Sequence, residues 1–237
     1  MLSAKPWRGE AVLQFCGALL FCYWLSVMIT VLLAKAGVAG FQLPDGFGAV
    51  LLATLGFQGA TWVLIPFFLR QHHAGWHDAF GLCGPQLSRA LFTAVGVTLL
   101  LLPAIWLLQY LSAWTLTRLG WPPEEQTAVA LITGAKSWWM RVYLGLFAAV
   151  LAPVAEEFIF RGMLYPFVKQ LGSPWSARLG VNAVFALIHQ DLGTLIPLFA
   201  LALALTWLYE RTDNLLAPIT AHSLFNVANL VLLGFAK

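Results

Sequence analysis

Two adjacent carboxylates, Glu156 and Glu157, lie inside an otherwise apolar stretch running from Val142 to Phe160, and Arg161 follows directly. A charged side chain at the centre of a bilayer costs about 2.5–3.5 kcal/mol on insertion scales, so such residues mark function by default. Each helical step turns about 100°, which places Glu157 and Arg161 on one face and Glu156 on another. Arg161 can therefore hold Glu157 and leave Glu156 unpaired, and a free carboxylate next to a substrate can act as a general base. A structural ion pair with one satisfied carboxylate lining a cavity is the alternative. Further along, His189 follows Asn182 and Phe185 at helical spacing, and His222 and Asn226 stand four residues apart, so that their side chains share a face. Pro218 near the start of that last segment leaves the first amide donors free.

Other polar groups carry less. His72, His73 and His77 include an i, i+4 pair but lack the helical HExxH context of a zinc protease. Asp191, Glu210, Arg211 and Asp213 fall at the ends of apolar runs, where solvated caps and snorkelling charges are expected. Cys16, Cys22 and Cys83 show neither CxxC spacing nor an even count, and so support no disulfide framework or thiolate metal site.

The elements that must position these groups are apolar helices. Of 237 residues, 60% are hydrophobic and 10% charged, against about 25% charged in soluble domains. The 11 Trp and 17 Phe suit lipid contact and interfacial anchoring. The expected fold is all-α, a polytopic transmembrane helix bundle of about seven to eight helices. The candidate spans are Ala11–Ala34, Gly48–Leu69, Leu91–Trp114, Val142–Leu164, Ala177–His189, Leu192–Tyr209 and Leu216–Phe235, each compared with the ~20 residues a bilayer requires. The fifth is short. The segment Thr115–Arg141 reads as an interfacial helix or an eighth span.

Ala34-Lys35-Ala36 imitates a signal-peptidase site, but the run before it is long enough to span and is read as a retained helix. One membrane domain is expected over residues 1–237, with N-terminal spans in 1–141 and a catalytic core in 142–237. Lys5, Arg8, Arg70, Arg89, Lys169, Arg178 and Arg211 assign their loops to the cytoplasm. Measured from those ends at about 1.5 Å per residue, Glu156 and His189 lie ~20 Å deep, Asn226 ~15 Å and His222 ~9 Å, so that with tilt they meet in one cavity. The net charge of +3 forms no basic run, which argues against nucleic acid as a partner.

Glu156-Glu157-Phe158-Ile159-Phe160-Arg161-Gly162 resembles the EExxxR motif of the CPBP family, the CAAX proteases and bacteriocin-processing enzymes also called Abi. Phe185 to His189 resembles that family's FxxxH motif, and Asn214 to Asn226 its NLxxPIxxHxxxN motif, all in family order. The resemblance implies an intramembrane endopeptidase of the class that trims prenylated CAAX proteins, in the bacterial inner membrane and with its site toward the cytoplasmic half. It implies Glu156 as activator of water, His189 as its partner, His222 and Asn226 around the oxyanion, and Glu157 and Arg161 as supports.

The substrate implied is a lipidated or membrane-associated protein or peptide, with membrane lipids as the surroundings. No cofactor is required in this reading. The zinc-dependent alternative would take Glu156, His189 and His222 as ligands, but would then leave no free base. A non-catalytic scaffold or bacteriocin-immunity protein on the same fold is the other alternative. A proton-relaying transporter would show inverted repeats, which the sequence lacks.

Overall fold

A computed structural model of the chain describes residues 2–41, 46–82, 86–123, 127–135 and 137–235. Cys83, Glu124, Glu125 and Lys136 lie outside the described residues. The described fold is all-helical, in the order α1 (Gly9–Lys35), α2 (Phe47–Gln71), α3 (Trp76–Phe80), α4 (Leu87–Arg118), α5 (Thr127–Gly134), α6 (Trp138–Gln170), α7 (Pro174–Leu187), α8 (Leu195–Thr212) and α9 (Leu216–Phe235). With no water in lipid to satisfy backbone amides, continuous helices are the form these apolar runs must take.

Six of the described helices, α1, α2, α4, α6, α8 and α9, are long and apolar enough to cross a membrane. The protein is an integral membrane protein. Large apolar side chains stay exposed along them, including Leu20, Phe92, Leu100 and Val63, as a lipid-facing surface requires. The fifth expected span differs. Ser173 caps α7 by accepting from the Ser176 amide at 3.3 Å, Pro174 opens the helix, and it ends at Leu187 after 14 residues. At about 1.5 Å per residue that is ~21 Å, short of a ~30 Å hydrocarbon core. Among the described residues of Thr115–Arg141 there is no eighth span either: α4 runs on to Arg118, and α5 is an eight-residue helix.

Helix α6 is the hub. Its middle and C-terminal parts pack with α1, α2, α3, α7 and α8 around Phe80, Phe158, Phe160, Tyr165 and Phe185. A second core, with Ile105, Leu205, Leu208 and Phe225, joins α4, α8 and α9.

The basic ends expected on one side do gather at one end of the bundle. Lys5 pairs with Asp213 at 3.0 Å, Arg8 Nη2 donates to the Gln71 carbonyl at 3.0 Å, and Gln170 donates to the Lys5 carbonyl. Glu210 is not the solvated cap its position suggested. Its carboxylate, 12% exposed, accepts from Tyr165, Lys169 and Arg178, because α6, α7 and α8 converge on it. Asp213 is likewise tied into the structure by Lys5.

The turn after α3 locks this end. Gly81 has φ +65°, the Phe80 carbonyl accepts from the Leu215 amide at 2.9 Å, and a Cβ on Gly81 would run into the Asp213 carbonyl. Gly81→Ala therefore combines left-handed strain with a backbone clash, and thermal unfolding in detergent should show a loss of about 2–3 kcal/mol.

Candidate active site

Helix α6 is not a uniform α-helix. It widens into π turns at Phe147–Leu151 and Phe158–Leu164, which bracket Ala152–Glu157 and so bracket both carboxylates. In the first wide turn the Ala152 amide bonds to the Phe147 carbonyl, five residues back. In that register the next donor would be the amide of residue 153, which is proline and has none. The carbonyl left over is that of Ala148, and Asn226 Nδ2 donates to it at 2.8 Å. Pro166 supplies no amide after the second wide turn, and the Trp7 indole donates to the nearby Gly162 carbonyl at 2.8 Å. The prolines within the motif segment were the sequence signal for these turns; a reading at a uniform 100° per residue passes over them.

Glu157 is fully buried. Its Oε1 accepts from Arg161 Nη1 at 2.9 Å, the expected pairing, and lies 2.9 Å from His222 Nδ1. A carboxylate shared with a guanidinium offers only lone pairs, so Nδ1 carries the hydrogen and donates. Nε2 of His222 is then the nitrogen turned toward Glu156, 3.9 Å from its Oε2. The Glu156 side chain keeps 15% of its surface and is the open member of the acidic pair.

Arg161 is fully buried as well. Nη2 donates to Asn182 Oδ1 at 3.3 Å and to the Ala202 carbonyl at 3.0 Å, and the guanidinium lies 4.6 Å from the centroid of the Phe185 ring. Phe185 is a contact that sequence spacing hinted at without explaining. Its buried ring touches Phe160, His189 and His222 with centroids 5.1, 5.0 and 5.8 Å away, so one aromatic plate separates and spaces both imidazoles.

His189 sits in the turn after α7, exposed, with Nδ1 2.7 Å from the Phe185 carbonyl. Nδ1 donates there, which leaves Nε2 as the free nitrogen of this ring too. No hydrogen bond joins His189 to Glu156; its ring is held at the Phe185 carbonyl. The structure thus draws Glu156, Glu157, Arg161 and His222 into one contact group, places His189 at its edge, and engages one amide hydrogen of Asn226 on α6. Among the described residues, no three His, Cys, Asp or Glu side chains are grouped closely enough to share an ion.

Residues 137–228 match the family described as "Type II CAAX prenyl endopeptidase Rce1-like", and that range holds all the residues just described except Trp7. Over those residues the chain is similar to CAAX-type prenyl endopeptidases. It is also similar to a Bacillus subtilis (strain 168) protein named "Putative membrane peptidase YdiL", at 29% identity over 79 residues, which cover 33% of this chain. The match spans 32% of that relative's length. No solved structure matches the chain.

Removing one partner of a buried ion pair strands the other charge. Arg161→Ala should destabilise the protein by about 3–5 kcal/mol, read as a fall in unfolding midpoint in detergent, with Arg161→Lys intermediate because a point charge cannot reach Glu157, Asn182 and Ala202 together.

Proposed function

We propose that this protein is an intramembrane endopeptidase that hydrolyses a peptide bond near the C-terminus of a lipidated, CAAX-type, or membrane-associated protein or peptide. The observation that carries the reading is the meeting of the first and third motifs: His222 donates to Glu157 at 2.9 Å while its other nitrogen faces Glu156. A partly exposed carboxylate beside an imidazole oriented by a second, buried carboxylate is the constellation that water activation needs.

In this reading Glu156 takes a proton from water as the water oxygen bonds to the scissile carbonyl carbon, and His189 is its partner at the cavity edge. The carbonyl oxygen becomes an alkoxide facing His222 and Asn226. Asn226 keeps a second amide hydrogen beyond the one bonded to Ala148. His222 donates through Nε2 only as imidazolium, since Nδ1–H is already committed to Glu157. Each such donor contributes about 2.7–4 kcal/mol to an oxyanion. When the tetrahedral carbon collapses and the C–N bond breaks, Glu156 returns its proton to the leaving amine.

The proposed setting is a bacterial inner membrane, with the site toward the cytoplasmic half. Two features support the sidedness. The gathered basic ends follow the positive-inside tendency, and Glu156 lies 14 residues from Gln170 but 18 from Trp138 in α6. Membrane lipid is the proposed surrounding partner, and a net charge of +3 without a basic run argues against nucleic acid.

Glu156→Gln should lower cleavage of a farnesylated CAAX peptide by about 10²–10⁴-fold without altering extraction or unfolding, and His189→Ala should do the same; full activity in either variant removes that residue from the chemistry. Activity should also survive exhaustive chelation, whereas loss followed by restoration with zinc alone would install the zinc-dependent reading.

A further inference from the structure

The threonines of these helices follow a habit. Thr61, Thr98 and Thr212, for example, each donate to the carbonyl four residues back, at 2.8, 2.8 and 2.7 Å. Thr206 does not. The carbonyl four residues before it is that of Ala202, and Arg161 Nη2 occupies it at 3.0 Å. A carbonyl has two lone pairs, one spent on the helix amide and one here on the guanidinium, so the Thr206 hydroxyl has no place to bond back. It turns instead to Asn182 Oδ1 at 2.9 Å.

Asn182 is fully buried, and its orientation is fixed from the other end: Nδ2 donates to the Arg178 carbonyl at 2.7 Å, which leaves Oδ1 to receive both Thr206 and Arg161. The result is one continuous chain of directed bonds. Thr206 holds Asn182, Asn182 and Ala202 hold Arg161, Arg161 holds Glu157, and Glu157 holds His222 Nδ1.

We infer that Thr206 and Asn182 are positioning residues for His222. Through Arg161 and Glu157 they set the direction in which His222 Nε2 faces Glu156. Neither touches the reacting atoms, and Thr206 lies on α8, which carries none of the motif residues. The catalytic consequence rests on the hydrolytic reading given above.

The test compares Thr206→Val, which keeps the shape and deletes the hydroxyl, with Thr206→Ser, which keeps the hydroxyl, in the full chain reconstituted in nanodiscs. With a fluorogenic farnesylated CAAX peptide as probe, Thr206→Val should lower kcat about tenfold with KM within about twofold, and Thr206→Ser should restore it. In parallel, the Nδ1–H resonance of His222 in ¹⁵N-histidine-labelled protein reads the bond to Glu157 without substrate. It should move in Thr206→Val and stay in place in Thr206→Ser.

An unmoved resonance in Thr206→Val overturns the inference. So does a kcat per folded molecule equal to wild type, or a serine variant as impaired as the valine. Equal cleavage by wild type and Glu156→Gln, or none by wild type, would count against the hydrolytic reading alone, because the resonance still decides whether Thr206 positions the ring.

Discussion

One buried oxygen organises this molecule. Glu157 Oε1 accepts from Arg161 and from His222, so a single carboxylate in a lipid-embedded bundle ties helix α6 to α9 and, through Arg161, to α7 and α8. A charge placed there without partners would cost several kcal/mol, and the arrangement offsets this with charge-assisted bonds from both donors. Because those bonds are directional, they do more than neutralise. They decide which face of the His222 ring meets Glu156.

The membrane explains why so much of this machinery is made from irregular helix. A carbonyl that loses its amide partner in lipid has no water to replace it. Where Pro153 and Pro166 interrupt α6, side chains from distant parts of the chain, Asn226 and Trp7, donate to carbonyls beside the wide turns. The irregularity of α6 thus becomes a means of attachment, fixing α9 and the start of the chain against the segment that bears the acids. The ion cluster around Glu210 performs the same task at the end of the bundle, where α6, α7 and α8 meet.

Much of this was legible in the chain. The apolar runs gave an all-helical membrane fold because helix is the form that satisfies their backbone in lipid. The spacing of Glu157 and Arg161 gave their pairing, because residues four apart share a face. Other features were not legible, for physical reasons. The span itself read as short, but the bounds of α7 depend on the cap that Ser173 and Pro174 form and on the turn that carries His189, and a hydropathy window blurs both. The burial of Glu210 could not be read because its three donors come from Tyr165, Lys169 and Arg178, at separations that no local pattern encodes.

By itself the sequence determined the membrane class, the order of the motifs and the identity of the acids, imidazoles and amides, since composition and short-range periodicity report on solvent and on faces of single helices. Only the tertiary structure decided which nitrogen of His222 is committed, that Asn226 spends a hydrogen on Ala148, and that Thr206 turns away from its own helix. Those outcomes are set by competition for lone pairs among residues brought together from different helices, and such competition exists only once the helices have packed.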